Sequence, residues 1–179
     1  MSIYPQNTKP HGLLRFLATY LAFLLVLPLL TGCGGAGAGK PAPVIVVVGD
    51  RTVLDVVTEL RRAKLNVSED KAQMASAALI VMAQDSTNGA MPQHRELVQE
   101  ISKSGNRNIL WIMTNAVNLE DPEILALEDS EARDLLYKYN LPGNATKFAI
   151  DYESFFVDPK LSYLKGWESI TKYIKEVNL

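Results

Sequence analysis

Two hydrophobic patterns alternate from residue 44 onward: short unbroken apolar runs, and longer stretches in which apolar residues recur every three or four positions. The first pattern suits a strand covered on both faces, the second a helix with one buried stripe. Strands are expected at Val44–Val48, Ala78–Ala83, Ile109–Met113 and Phe148–Ile150. Between the first two, Thr52–Ala63 reads as a helix with Val53, Val56, Val57 and Leu60 inward and Arg61, Arg62 and Lys64 near its C-terminus, where the dipole favours cations. Ser68 is placed to cap a short helix around Ala72–Ala75. After the turn residues Ser86–Gly89, Pro92 opens a helix carrying Leu97, Val98 and Ile101, and Gly105 stops it. Asp121–Pro122 opens another that runs to about Tyr139, with Leu125, Leu127, Leu135 and Leu136 inward and Pro142–Gly143 beyond its end. Trp167–Val177 closes the chain as a helix with Trp167, Ile170, Tyr173 and Ile174 on one side. Strands alternating with helices predict an α/β fold: a parallel sheet of about four strands flanked by helices.

The first 43 residues follow neither pattern. An apolar run from Phe16 to Leu30 comes after Lys9, His11 and Arg15, the order of a secretory leader. At roughly 15 residues it falls short of the ~20 that span a bilayer comfortably. It closes on Leu30-Thr31-Gly32-Cys33, which resembles the lipobox of bacterial lipoproteins. That resemblance implies peptidase recognition through Leu30, Thr31 and Gly32, cleavage before Cys33, and diacylglycerol on its thiol. The competing readings are an uncleaved signal anchor and a buried core helix, and neither accounts for a sole cysteine at this spot. Gly34 and Gly35 follow, without the acidic residue that often signals inner-membrane retention, so the periplasmic face of the outer membrane is the expected location. Residues 33–43 are rich in Gly, Ala and Pro and should form a flexible tether to a domain spanning 44–179. Gly39-Lys40 precedes the first strand and runs into prolines, which is the wrong setting for a phosphate-binding loop.

Composition narrows the chemistry. The chain has 179 residues and a formal charge of -2; without Lys9 and Arg15 of the leader, 16 basic groups face 20 acidic ones. A mildly acidic domain is a poor match for nucleic acid, where affinity comes mainly from cations neutralising phosphates. One cysteine permits no internal disulfide or cysteine-clustered zinc site, and two histidines make a histidine-rich site equally implausible. No cofactor is expected.

Several segments together resemble translational GTPases of the elongation factor Tu type. Ala72-Gln73-Met74, Ala78-Leu79-Ile80-Val81 and the run Gly89–Glu96 are similar to the family stretch A-Q-M-D-G-A-I-L-V-V…D-G-P-M-P-Q-T-R-E. Asn115–Asn118 stands against the guanine-reading N-K-x-D, Ala132–Leu136 against V-R-E-L-L, and Tyr139–Gly143 against Y-D-F-P-G. The resemblance implies a trimmed P-loop-GTPase-like sheet, close over Lys71–Thr146 and loose at the first strand. It also shows what is lost. Val48–Thr52 passes almost directly from strand to helix, with no Gly-rich loop ending in Gly-Lys-Thr to cradle phosphate and hold magnesium. The D-C-P-G-H segment has no counterpart, and the two strands that bring it look deleted between Lys64 and Lys71, which would leave Val44–Val48 at a sheet edge open to pairing. Asn118 replaces the carboxylate that accepts from guanine, Ala116 replaces the lysine, and the last base loop reads Asp151-Tyr152-Glu153.

Asn115 and Asn118 are thus the remnant of a nucleotide-base loop. His94 can be drawn as an acid–base partner of Glu96 or Asp85, but it replaces an ordinary surface residue of the motif and should be a solvated helix position. Glu128, Asp129, Glu131 and Asp134 read as an exposed helix face, and Tyr152, Phe155, Phe156, Tyr163 and Trp167 as core or C-terminal packing, with a partner-binding patch as the alternative. These readings imply a pseudo-GTPase with no catalytic residues, attached to the membrane through lipidated Cys33 and binding a protein partner or itself. A weak guanine or xanthine nucleotide-binding protein with residual GTPase activity is the alternative.

Overall fold

The computed structural model describes residues 42–89, 91–118, 121–152 and 163–177. Leu30, Thr31, Gly32 and Cys33, the leader, and the tether as far as Pro41 lie outside them, as do Glu153, Phe155 and Phe156. The strands are β1 (Ile45–Gly49), β2 (Val67–Ser68), β3 (Leu79–Asp85), β4 (Ile109–Thr114), β5 (Lys147–Ile150) and β6 (Leu164–Lys165). Helices α1 (Val53–Arg62), α2 (Pro92–Ser104), α3 (Pro122–Lys138) and α4 (Gly166–Val177) lie between or after them. All strand pairs are parallel, in the order β2-β1-β3-β4-β5-β6.

The α/β class and parallel sheet agree with the hydrophobic pattern, and the four long apolar runs are β1, β3, β4 and β5. The sheet has six strands because a two-residue strand is added at each edge, too short to leave a periodic signal. This corrects one expectation: β1 is not an edge strand. Val67 and Ser68, within the segment read as deleted, pair with Ile45 and Val46.

Alternation along the strands sorts two cores. Val46, Ile80, Met82, Trp111, Met113 and Phe148 point to the face covered by α2 and α3, where Leu97, Ile101, Leu125 and Leu136 meet them. Val47, Leu79, Val81, Leu110 and Ile112 point to the face covered by α1 and α4, against Val57, Leu60, Ile170 and Ile174. Among the described residues no helix is long and apolar enough to cross a membrane.

Two local readings change. Asp70, not Ser68, caps the 3-10 helix Lys71–Ser76, accepting from Ala72 N at 3.0 Å, while Ser68 Oγ accepts from Asp70 N. In α3 the inward stripe runs through Leu125, Asp129, Ala132 and Leu136, so Leu127 turns to solvent at 59% exposure. The same phase carries Glu128 and Asp129 inward, against the expectation of an exposed acidic face, while Glu131 and Asp134 do remain exposed. Arg133 makes the burial of Asp129 tolerable: its Nε lies 3.0 Å from both carboxylate oxygens, and its guanidinium stacks 4.2 Å over the Phe148 ring.

Candidate functional site

From β1 the chain crosses to β2 on one side and then returns to β3 on the other. Such a reversal opens a crevice at the C-terminal strand ends, the usual ligand position in open α/β sheets. Here that position is formed by Asp50 and Arg51 after β1 and by Asp85, Ser86 and Thr87 at the end of β3.

The two strands approach closely at Gly49, where a Cβ would stand 2.1 Å from Ala83 O, so no side chain fits. Asp50 follows at once and turns its carboxylate back over the start of α1. Its Oδ1 accepts from Thr52 N at 2.9 Å and Thr52 Oγ1 at 2.7 Å, and its Oδ2 accepts from Asp85 N at 2.6 Å. The first amides of a helix and its dipole make a ready anion site. In this chain Asp50 supplies the anion. Burial pushes its pKa upward, but the nearby His94 ring and the hydrogen bonds from the Asp85 amide and Thr52 outweigh that and hold it well below the usual carboxylate range. Arg51, 71% exposed, places Nε and Nη2 at 2.9 and 2.6 Å from Asp85 Oδ2, while Asp85 Oδ1 accepts from Thr87 N and Oγ1. Burial raises the pKa of Asp85, and contacts from Thr87, Arg51 and Asn115 bring it below the ordinary value.

His94 is not the solvated residue the sequence suggested. It lies in the first turn of α2 with 0% exposure, because its Nδ1 accepts from Met91 N at 3.0 Å and folds the ring over the helix start. That bond puts the ring proton on Nε2. Nε2 points to Asp50 Oδ2 at 3.5 Å, beyond good hydrogen-bond geometry, and its partner is neither Glu96 nor Asp85. The ring packs at a tilt against Trp111, with centroids 6.2 Å apart.

Trp111 begins a buried polar chain. Its Nε1 donates to Gln84 Oε1 at 3.0 Å, and Gln84 Nε2 donates to Glu128 Oε2 at 3.2 Å. Ser86, whose buried hydroxyl has no well-formed hydrogen bond, faces the same carboxyl. Desolvation pushes the Glu128 pKa up to about 7; Glu131 and Asp85 add to the rise, and Ser86 and Gln84 oppose it.

The loop after β4 is held by a carboxylate as well. Asn115 adopts a left-handed backbone (φ 58°), and its amide donates to Asp151 Oδ2 at 2.8 Å; Ala116 N lies 3.4 Å from Oδ1. Burial raises the Asp151 pKa, against these amide bonds. Asn118 ends the 3-10 turn Ala116–Asn118, and its side chain is outside the described residues. Asn115 and Asp151 are therefore brought together, the Asp151 carboxylate closing the Asn115 loop.

Taken together, the C-terminal end of the sheet is lined by Asp50, Asp85, Glu128 and Asp151, with Arg51 paired to one of them. Among the described residues no group of three or more His, Cys, Asp or Glu side chains is arranged to hold a metal ion. Sequence reading gave Asp50 no functional role and left Asp151 as a departure from the base loop of the family. The available signal was positional, since each follows directly on a β-strand. No protein-family model matches the chain.

Proposed function

We propose that this chain is a lipoprotein anchored through Cys33 whose α/β domain is a protein-binding or scaffold module on a GTPase-like sheet that no longer binds phosphate. The observation that carries the reading is the Asp50 carboxylate bound to Thr52 N at the start of α1. A phosphate at that helix start would have to displace a buried carboxylate from its amide and hydroxyl donors, and would also meet the negative charge of Asp85. Arg51, the cation nearest this place, is committed to Asp85. The binding role is supported by the apolar groups at the same end: Leu54, Met91, Val117, Ile124, Leu127 and Tyr152 are all large, exposed side chains around the strand C-termini. Exposed aromatic and aliphatic groups ringed by carboxylates suit a protein partner better than a phosphorylated ligand.

Calorimetry of the purified chain against GTP, GDP and XDP with magnesium tests this directly. The expected result is no binding heat. Micromolar affinity for any of the three would overturn the reading in favour of a nucleotide-binding protein built on the Asn115 loop.

A further inference from the structure

Charge is divided between the two ends of the sheet. Helices run back against the parallel strands, so the C-termini of α1, α2 and α4 gather where the strands begin, and there stand the exposed side chains of Lys64, Arg107 and Lys175. None of the three has an ion-pair partner among the described residues, whereas Arg61, Arg62 and Lys71 are paired with Glu69, Glu59 and Glu100. Glu176 is the exposed carboxylate nearest in sequence to this group. Two shallow grooves lie beside the cations. One is lined by Ala42, Pro43, Lys64, Asn66 and Lys175, the other by Arg107, Asn108, Tyr173 and Val177, and each takes residues from the last turns of α4. The opposite end carries Asp50, Asp55, Asp85, Asp121, Glu123 and Asp151.

The chain enters the domain at the basic end. Asn66 Nδ2 donates to Ala42 O at 3.0 Å, and Ala42 lies in the groove between Lys64 and Lys175. Ala42 is nine residues beyond Cys33. Nine residues span at most about 32 Å, so the basic end of the domain stays within that reach of the surface that holds Cys33.

We infer that Lys64, Arg107 and Lys175 form a docking face for an anionic phospholipid surface, which sets the domain upright with its strand C-termini facing away from the bilayer. The inference rests on the reading that Cys33 is lipidated. With 20 acidic groups against 16 basic ones, the domain as a whole is repelled by such a surface, so attraction requires the polarised arrangement and favours a single orientation. A cation brought to an anionic bilayer shifts partitioning about fivefold, so three together favour this orientation by roughly a hundredfold. The apolar and acidic end is then left accessible to a partner.

The test uses the full chain purified from membranes and reconstituted in vesicles of phosphatidylcholine, with or without phosphatidylglycerol. A fluorophore is placed at Asn144→Cys, at the basic end, or at Asn88→Cys, at the acidic end, and energy transfer to a headgroup-labelled lipid is measured. Transfer from position 144 should exceed that from position 88 when phosphatidylglycerol is present. The difference should collapse in the triple variant K64Q/R107Q/K175Q and persist in Arg95→Gln, which removes a cation from the other end. Equal transfer from both positions, or a preference that survives the triple substitution, would overturn the inference. The mass of the Cys33 peptide from the same preparation separates the two readings. An acylated chain without orientation sinks the docking face alone; an unacylated chain sinks the anchor. In that second case, vesicle sedimentation that still required phosphatidylglycerol and the three cations would preserve the docking face.

Discussion

Replacing Glu128 by Gln should remove a stability change that accompanies the pH rise from mildly acid to mildly alkaline. Glu128 is 5% exposed, receives one hydrogen bond from Gln84, and has Asp85 and Glu131 as negative neighbours. Its pKa is pushed from 4.5 to about 7, chiefly by burial. The folded state therefore binds this proton more tightly than the unfolded chain does. Its stabilising contribution is complete below the unfolded pKa near 4.5 and is lost as pH rises through about 7. At about 1.36 kcal/mol per pKa unit, the loss between pH 4.5 and 8 is about 3 kcal/mol. The glutamine keeps an acceptor for Gln84 Nε2 and supplies the donor that the protonated acid would offer to Ser86. Urea denaturation of both proteins across this range gives the difference in unfolding free energy, in which contributions from other titrating groups cancel. The difference should shift by about 3 kcal/mol in favour of Glu128→Gln as the pH rises. Parallel stability curves would refute the assignment of Glu128 as a buried acid without a cation.

Four further substitutions probe the strand ends and the phase of α3. Gly49→Ala should destabilise by about 3 kcal/mol or more in thermal or chemical unfolding, since the new methyl meets Ala83 O. Asp50→Asn should cost about 1–2 kcal/mol by weakening the bonds with Thr52 N, Thr52 Oγ1 and Asp85 N, an effect seen at neutral pH that vanishes once acid has protonated the wild-type carboxylate, because Asp50 stabilises only above its depressed folded pKa. Leu125→Ala should cost about 2–5 kcal/mol whereas Leu127→Gln should stay within about 0.5 kcal/mol, as the helix phase requires; equal costs would mean that α3 is rotated.

The fold was legible where one signal dominated. Unbroken β-branched and aliphatic runs marked β1, β3 and β4, and Pro92, Gly105 and Asp121–Pro122 marked helix limits because each carries a backbone restriction visible in sequence. β2 and β6 escaped because two residues cannot show a period. The α3 phase was misread because Leu127 suits a buried stripe in isolation, and two adjacent carboxylates suit solvent. Only the Arg133 and Gln84 partners, contributed from one turn away and from β3, make the opposite face buriable. His94 was assigned by its place in a motif, whereas its burial follows from a hydrogen bond to Met91 N and from the nearby Asp50, 44 positions earlier in the chain. The polar cluster as a whole was hidden because its members come from the ends of β1, β3 and β5 and from α3, which only the tertiary fold brings together.

The proposed attachment of the domain to a membrane depends on the thiol of Cys33. Intact-mass and peptide mass spectrometry of the protein extracted from the membrane fraction should find a chain that begins at Cys33 and carries acyl groups on that residue. A membrane-bound chain that retains residues 1–32 with an unmodified Cys33 would contradict it.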